Sequence, residues 1–507
     1  MNETQKTLDA LKEAQGNALP ESITKAYTQS GSAISGLTMY DLEAPAKTLF
    51  PVNTPLRNII PRVVGGMGIQ ANWRAVTGIN TNNIGAGIGE GKRGYEIAQT
   101  TADYLAKFVG MGLNNSVTFE ADYASVGFDD VKARAARDLL QSLMIQEEFL
   151  DYAGNATLAL GTTPTPVLAT ATTGGSLGAA VAMNVFAVAL TQKGYQQVAG
   201  TNNGTIGAST NVATALISAT FTMTDIGDGS TNIISGGVSR KSAVANITTG
   251  GTATNSITAT VSNVVGAFAY AWFWGVAGSE VLGAVTTINS VAILAAATGV
   301  QNISSLPSTD NSTDSMVYDG ILTQILKPGS GSYVKQLATG VAGIGSSLTS
   351  DGAGGIVEIE DALASFYNLY RLSPETMFVS ANVQRVINKL IIANGGAPLI
   401  RYTGDFNGSS SMAAGTVVSS YLNKVTGTTL KICVHPNAAP GTIMFFSSSI
   451  PYPVSEVGSV LVKKLRKEYH QIVWPLRTRK YEFGVYFDGV LQNYFPPAFG
   501  LISNIAA

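Results

Sequence analysis

The sequence predicts a mixed α+β protein with an inserted all-β domain, and three patterns lead to this prediction. Apolar side chains recur at helical spacing over residues 131–152, which is typical of one long amphipathic helix. They alternate with polar side chains over 69–77 and again over 481–487, as in half-buried strands. From residue 162 to about residue 290 the chain is poor in charge, rich in Ala, Thr, Val, Gly and Ser, and interrupted by Gly-Gly and Asn-Gly turns, so an inserted β-sandwich is predicted there.

The composition limits the classes of protein to which this chain can belong. Its 507 residues suffice for roughly two to four domains, and a hydrophobic share of 45% excludes a disordered chain. Charged residues make up 13% and the net charge is −2, so there is no global positive field to attract nucleic acid. The single cysteine, Cys433, excludes a disulfide framework and a cysteine metal cluster.

No targeting or membrane-spanning segment is predicted. The first residues, Met-Asn-Glu-Thr-Gln-Lys-Thr-Leu, are polar and mixed in charge, unlike a secretory signal. The most apolar stretch, Val264–Gly278, has about 15 residues, whereas a helix that crosses a bilayer needs ~20. We therefore expect a soluble protein that is made and used in a reducing cytoplasm.

The chain before the long helix is expected to form an arm and a hairpin. Residues 1–20 predict a short amphipathic helix, and residues 24–66 an extended arm that stays ordered only against another surface. The strand at 69–77 leads into a glycine-rich tip, from which a second strand-like run, Tyr104–Phe119, returns. Because a two-stranded ribbon is marginal in water, this hairpin is expected to rest on another part of the fold or on another subunit.

The long helix has start and stop signals in the sequence. Asp129 and Asp130 stand where the N-terminus of a helix favours acidic side chains. Gly154 and Asn155 favour its end. About 24 residues at 1.5 Å each make a rod of ~36 Å.

The insertion and the segment after it contain further predicted elements. A linker rich in Ser, Thr and Asp (302–315) separates them, and Asp488-Gly489 predicts a turn after the last alternating stretch. Helices are predicted at Val357–Leu369 and Ala381–Ala393, and strands at Leu216–Met223, Ser256–Ser262, Thr376–Val379, Leu430–Val434 and Thr442–Phe446.

The sequence contains few candidates for catalytic groups. The two histidines, His435 and His470, have no Ser or carboxylate at a motif spacing, and a structural role is favoured for both. Cys433 and His435 would share one face of a strand and are expected to be a core pair rather than a nucleophile dyad. Acidic residues around Glu358 mark a helix start. No spacing typical of metal ligands is present, so catalytic residues, cofactors and metals are all predicted to be absent.

Two motifs leave an alternative open. Gly89-Glu-Gly-Lys-Arg-Gly94 matches G-x-G-x-x-G, but it lacks the preceding buried strand and the following helix of a dinucleotide site, so a hairpin tip is favoured. A nucleic-acid face remains an alternative for a basic cluster interleaved with acids, although a subunit contact or a solvated strand face is favoured. The cluster consists of Lys463, Lys464, Arg466, Lys467, Arg477, Arg479 and Lys480.

The order of these elements resembles that of the major capsid proteins of tailed bacteriophages, which share the HK97-like fold. Short segments add to the resemblance: Tyr318-Asp-Gly-Ile-Leu322, Phe378-Val-Ser-Ala-Asn382 before a helix, and Glu468–Trp474 in the closing strands. The resemblance covers about 350 residues on architecture and loose similarity. The segments it implies are an N-terminal helix and N-arm (1–66), an E-loop hairpin (67–120), a spine helix with peripheral domain (121–161), an inserted Ig-like β-sandwich (162–300), a linker and return to the core (301–355), an axial domain (356–455) and terminal strands of the peripheral domain (456–507).

The resemblance implies a function in assembly rather than catalysis. The chain would self-assemble through hexamers and pentamers into an icosahedral shell that encloses double-stranded DNA, contacted non-specifically. It would act in the virion after assembly in the host cytoplasm, without a membrane. Because the arm begins near residue 24, with no room for a long scaffolding segment, a separate scaffolding protein is expected, together with a portal protein.

Five residues of the hairpin are candidates for assembly contacts, and they are Trp73, Arg74, Lys92, Arg93 and Tyr95. Some family members join subunits covalently through a lysine of this loop. Lys92 is the candidate for such a link here, although an exposed lysine at a tip is ordinary.

Three other functions are left open by the sequence. An encapsulin-like cellular compartment would have the same fold. A surface adhesin would use the β-sandwich as its main part, and the absence of a secretion signal argues against it. An enzyme that binds nucleotides through the glycine-rich tip is the least favoured.

Overall fold

The fold was analysed in a computed structural model of the chain. Besides Lys6, it describes residues 52–506 with the exception of 80–86, 95, 128, 200–215, 226–227, 307, 396–399, 405–409 and 415–416. The predicted N-terminal helix and most of the predicted arm lie outside the described residues. Residues 120–131 do not belong to the compact unit that residues 50–119 and 132–507 form.

The described chain is mixed α+β and rich in short strands. Its helices are α1 (Phe119–Ser125), α2 (Val131–Ala153), α3 (Gln192–Ala199), α4 (Ile321–Leu326), α5 (Val357–Tyr370) and α6 (Ala381–Gly395), with 3-10 turns at Ile303–Ser305 and Pro496–Ala498. Its strands are β1 (Arg62–Val64), β2 (Gln70–Ile79), β3 (Gln99–Lys107), β4 (Val109–Thr118), β5 (Val167–Ala171), β6 (Ala182–Leu190), β7 (Thr220–Thr224), β8 (Thr231–Ser235), β9 (Ala245–Thr248), β10 (Ser256–Thr260), β11 (Ala269–Gly275), β12 (Val281–Thr286), β13 (Ser290–Ile293), β14 (Tyr333–Gln336), β15 (Thr376–Val379), β16 (Ile400–Gly404), β17 (Ser410–Ala414), β18 (Ser420–Leu422), β19 (Thr429–Val434), β20 (Ile443–Phe446), β21 (Leu461–Val473), β22 (Lys480–Asn493) and β23 (Gly500–Ser503).

The largest core surrounds a six-stranded sheet with the order β14-β23-β20-β15-β19-β18. Helices α5 and α6 bury apolar side chains in this core, including Phe366 and Ile387, against Phe378 and Phe445 of the sheet. The two helices and the strands β15, β19 and β20 lie within two residues of the bounds predicted from the sequence. Their periodicity was readable because each of these elements buries one consistent face.

A second sheet, with the order β1-β21-β22-β4, joins parts of the chain that are far apart in sequence, and we call it the frame sheet. The predicted return strand Tyr104–Phe119 is two strands: β3 pairs with β2, and β4 pairs with β22 in the frame sheet. The predicted turn at Asp488-Gly489 is wrong, because β22 runs through it. Asp488 on β22 accepts a hydrogen bond of 2.8 Å from Nε of Arg466 on the neighbouring strand β21.

Helix α2 ends where the backbone of a later segment contacts it. Gly154 donates to the carbonyl of Leu150, and Gly320 donates to the carbonyl of Gly154. A Cβ at Gly154 would lie 2.3 Å from the carbonyl oxygen of Tyr318, and one at Gly320 would lie 2.5 Å from that of Leu150. Only glycine permits this approach of two backbones, so the predicted helix stop is also a packing site.

The segment predicted as an insertion contains two facing sheets. One has the order β13-β10-β5 and the other β12-β11-β6-β9. Ile257 and Ile293 of the first pack with Val185 and Trp272 of the second in one apolar cluster. The other face of the second sheet packs in a further cluster through Phe273 and Leu282. Because β11 is buried on both faces, the apolar run predicted at Val264–Gly278 is explained as a central strand.

The insertion is not all-β, which corrects the prediction. Helix α3 follows β6 directly, and its first turn is closed by Thr191, whose Oγ1 accepts from the backbone N–H of Gly194 at 3.4 Å. A threonine before a short polar run is a helix start signal. This start signal is hard to recognise in the sequence because the surrounding segment contains many Thr residues in turns. Gln192 of α3 donates 2.6 Å to the carbonyl of Asn437, so the helix also connects the insertion to the rest of the fold.

The two ends of the insertion lie side by side. The backbone N–H of Gly161 donates 2.7 Å to Asp310 Oδ2, and that of Leu160 donates 2.9 Å to Ser312 Oγ. Asn155 Nδ2 donates 3.0 Å to the carbonyl of Ser312. The chain therefore leaves and re-enters at one place, which we call the neck.

Candidate functional site

The hairpin β2–β3 presents exposed apolar side chains to a partner. Its two strands pair with each other and with no other described strand. Their register, in which Trp73 faces Tyr104 and Asn72 faces Leu105, gives the ribbon two distinct faces, because alternate side chains point to opposite sides. A surface on such a ribbon can meet a neighbouring molecule without disturbing the core.

The inner face of the hairpin packs on the chain's own body. The Trp73 ring stacks on Tyr104 with centroids 5.8 Å apart and meets Tyr494 edge-on at 6.1 Å. A cleft of about 680 Å³ lies next to this face, lined among others by Trp73, Tyr104, Gln324 and Asn493. The sequence candidate Trp73 is thus a packing residue that holds the base of the hairpin, and the cleft shows that contact with the body is incomplete.

The outer face of the hairpin is open. Leu105 is 63% exposed and Val76 is 59% exposed, while Ile69 at the base is 79% exposed. Arg74, another sequence candidate, lies on this face and pairs with Asp103 through bonds of 2.5 and 2.9 Å. The hydrogen bond from Arg74 lowers the pKa of Asp103. Apolar side chains at this exposure, next to a fixed ion pair, are typical of an interface without its partner.

The tip of the hairpin carries the remaining candidates. Lys92 and Arg93 are exposed in the described segment 87–94, and the backbone N–H of Lys92 donates to the carbonyl of Gly89. Tyr95 lies outside the described residues. No strand or helix occurs within 87–94, so Gly89–Gly94 is set in a loop, as predicted, and not in the strand-to-helix turn of a dinucleotide site.

A buried group of charges, which sequence reasoning missed, fixes the base of the hairpin and the preceding segment to α2. Glu148 is buried, and its carboxylate accepts from the backbone N–H groups of Leu56 at 2.9 Å and Arg57 at 2.6 Å. It also bonds to His435 Nε2 at 2.7 Å. The ring of His435 stacks on Tyr152 at 4.3 Å. His435 is buried and Cys433 packs against the main core, as predicted, but His435 lies beyond the end of β19 and its partner is a helix carboxylate.

Glu147 is the second acidic residue of this group. It accepts 2.6 Å from Arg57 Nε and 2.8 Å from Arg62 Nη1, and it accepts from the hydroxyl of Tyr469. Burial alone raises the pKa of Glu147. The charges of Lys463 and Arg62 and the hydrogen bonds from Tyr469 and Arg57 together outweigh burial, so that the pKa lies below its ordinary value. Glu147 is therefore held as a carboxylate that ties β1 and β21 to the helix.

Lys463 completes the group and corrects the interpretation of the basic cluster. Its side chain is 1% exposed, and its Nζ lies 2.6 Å from Asp151 Oδ1. Lys463 also donates to the hydroxyl of Tyr318, which donates 2.7 Å to the same Asp151 oxygen. Because side chains alternate along β21, Lys463 points inward. Its partner there lies on α2, which is distant in sequence. We call Glu147, Asp151, Tyr318 and Lys463 the amine site.

Other members of the basic cluster have acidic partners in the same chain. Arg466 pairs with Asp488, and Lys480 lies 2.7 Å from Glu482. Glu468, on the same strand as Arg466, pairs with Arg62 at 3.1 Å. These contacts favour the interpretation of the cluster as a strand face stabilised within the subunit over a surface for nucleic acid.

Two absences concern the described residues only. Among them, no group of three or more His, Cys, Asp or Glu side chains is arranged to hold a metal ion. No helix within that part of the chain is long and apolar enough to cross a membrane.

Comparison with known proteins finds similarity only among solved structures. No family model and no curated protein matches it. The capsid of Myoviridae phage XM1 is 9% identical with a TM-score of 0.41, over 94% of this chain and 100% of that chain. The capsid of cyanophage P-SCSP1u is 8% identical with a TM-score of 0.40, over 97% and 100%. An encapsulin complex from Synechococcus elongatus PCC 7942 is 11% identical with a TM-score of 0.22, over 37% and 57%. The first two belong to the class that the sequence resemblance named.

Proposed function

We propose that this chain is the major capsid protein of a tailed bacteriophage. It assembles through hexamers and pentamers into an icosahedral shell with an HK97-like fold. The observation that carries the proposal is the hairpin β2–β3, whose strands pair only with each other in the described chain and whose outer face exposes Leu105 and Val76. A subunit that keeps such a surface rigid and open is suited to permanent contact with identical neighbours.

The physical basis of assembly is the reuse of one contact. The outer face of the hairpin and the surface that it meets on a neighbour are different patches, so the contact is heterologous and closes into rings. Apolar burial contributes about 25 cal/mol per Å². A modest gain at each hairpin is therefore multiplied around a ring and over the shell.

The low charge fits the proposed contents of the shell. With a net charge of −2 the subunit does not condense on DNA, so double-stranded DNA is held by confinement and non-specific contact. A separate scaffolding protein and a portal complete the proposed assembly in the host cytoplasm. The insertion is proposed to be an outward-facing domain that stiffens or decorates the shell.

Electron microscopy and light scattering of the purified full-length protein test the proposal. We expect closed shells, or rings of six and five subunits. A protein that remains monomeric at high concentration, including when it is co-expressed with the neighbouring structural genes, would contradict it. Shells that contain an enzyme cargo instead of DNA after production in the native host would point to a cellular compartment.

Deletion of residues 78–98, which removes the tip of the hairpin, tests the role of this element. We expect a soluble subunit with the melting temperature of the full chain that no longer forms normal shells, because none of the described residues in the deleted segment belongs to the main buried core. The matched control replaces 87–94 by a Gly/Ser segment of equal length. Normal particles from the deletion variant would show that the hairpin is not the assembly element.

A further inference from the structure

The amine site brings together the groups needed to form an amide bond. Lys463 Nζ is in contact with the Asp151 carboxyl at 2.6 Å, and Glu147 Oε1 lies 3.5 Å from the same nitrogen. The side chains of Lys463, Asp151 and Glu147 are at most 2% exposed. Tyr318 donates to the Asp151 oxygen at 2.7 Å. An amine, a carboxyl, a second carboxylate and a hydroxyl donor therefore meet in one enclosed place.

Aromatic rings lie close to the amine site. Lys463 Nζ lies 4.0 Å from the centre of the Tyr318 ring and 5.6 Å from that of Phe487. Burial raises the pKa of Asp151, and the repulsion of Glu147 adds to this, against the opposing effect of Lys463. The proton that Lys463 must lose before Nζ can attack has an acceptor in the adjoining Asp151 oxygen, 2.6 Å away.

We propose that Lys463 and Asp151 condense to an intramolecular isopeptide bond, with Glu147 as the general base. Nζ attacks the Asp151 side-chain carbonyl carbon while Glu147 takes a proton from the nitrogen. Tyr318 donates to the oxygen on which negative charge develops. Glu147 then returns the proton to the departing hydroxyl, so that a C–N bond forms, a C–O bond breaks and one water molecule leaves. No oxidant or further reactant is required.

Holding the reacting groups in contact accelerates the condensation. The reacting groups are held in contact by α2 and β21, so no translational freedom is lost in the step, as in other intramolecular reactions. The bond would connect positions 312 residues apart, one on the helix and one on the frame sheet. It would thus fix α2 to the frame sheet whatever happens to the hydrogen bonds around it.

The mass of the denatured full-length protein tests the proposal. We expect the intact chain to be lighter than its sequence by one water molecule, and a proteolytic map to contain a branched peptide that joins Lys463 to Asp151. The Glu147→Gln variant is expected to keep the full sequence mass. Asp151→Asn is expected to condense with loss of ammonia in place of water, because the bond that then breaks joins the side-chain carbonyl carbon to the amide nitrogen, which leaves as ammonia. Lys464→Met, on the same strand, is the matched control and keeps the water loss.

The proposal is overturned if the wild-type map shows unmodified peptides containing Lys463 and Asp151, which would leave the pair as a buried ion pair. The peptides of Lys193 and Asp314 serve as the unlinked reference in the same digest, because this part-buried pair at 3.3 Å has no second carboxylate among the described residues paired with the amine. The decisive measurement is made on the wild-type protein, so its result does not depend on whether a variant folds. Shell formation is measured separately and does not enter this test.

Discussion

Three acidic side chains on one helix, Glu147, Glu148 and Asp151, are buried against three different parts of the chain. A buried carboxylate without partners is very unfavourable, and removal of one partner from a buried charge pair costs about 3–5 kcal/mol. Each of the three here has cationic, hydroxyl or backbone N–H partners. At the scale of residues, these carboxylates act as specific clamps, because an apolar side chain in their place would hold none of those partners.

Replacement of Glu148 by Gln is expected to destabilise the subunit by about 1–3 kcal/mol. The amide keeps one oxygen but presents N–H groups in place of the other, so one of the backbone N–H groups of Leu56 and Arg57 loses its acceptor. The free energy of unfolding from chemical denaturation is the measurement. Glu456→Gln, the same change at an exposed position, is the control and is expected to have no effect. Equal stability of both variants would show that Glu148 does not clamp the segment before the hairpin.

The lowered pKa of Glu147 predicts a loss of stability in acid. A carboxyl whose pKa is lower in the folded than in the unfolded state contributes stability above its ordinary value of 4.5, and this contribution disappears as the pH falls from there towards the lowered value. Asp151 has a raised pKa and the opposite sign. The measurement is therefore the difference in melting temperature between wild type and Glu147→Gln, which we expect to shrink below pH 4.5. A constant difference across this range would contradict the assignment.

At the scale of elements, the hairpin combines a fixed inner face with an open outer face. The inner face is held by Trp73 against Tyr494, whereas the outer face ends in exposed Leu105 and Val76. This asymmetry separates two roles in one ribbon. Changes on the inner face should affect folding of the subunit, and changes on the outer face should affect only contacts between subunits.

Leu105→Asp is expected to leave the unfolding free energy within about 0.5 kcal/mol of wild type, because the side chain is exposed. It is expected to prevent or weaken shell formation, since a charge would be buried at the proposed interface. Sedimentation and denaturation of the same preparation measure the two effects. Leu105→Met, which keeps the apolar surface, is the control. Normal shells from Leu105→Asp would exclude the outer face as a contact.

Elements with one consistent buried face could be predicted from the sequence, and those defined by distant partners could not. The helices α5 and α6 and the strand β15 follow from local periodicity. The division of Tyr104–Phe119 into β3 and β4 does not, because it is set by a change of partner strand, from β2 to the distant β22. Likewise, Lys463 reads as part of a basic surface run, and only the approach of α2 makes it a buried partner of Asp151. The hairpin was found, but the buried charges at its base were not.

At the scale of the whole molecule, the neck predicts that the insertion can be removed. Gly161 and Asp310 are already hydrogen-bonded, so joining them after excision of 162–309 requires little rearrangement. We expect a folded protein with lower stability, because contacts such as Gln192 with Asn437 and Asn289 with Asn504 are lost. Circular dichroism and thermal melting measure this. An unfolded product would show that the insertion is part of the folding core.

The frame sheet sets an order on the making of the subunit. Strands β1 and β4 are synthesised early, yet their partners β21 and β22 leave the ribosome near the end of translation, and Arg466 contacts the carbonyl of Gly68 398 positions earlier. Until those late strands emerge, the early ones have no sheet to join and the hairpin has no platform. A prematurely terminated polypeptide therefore lacks the sheet on which the hairpin rests, so under the proposed function the fold itself would exclude incomplete chains from a growing shell.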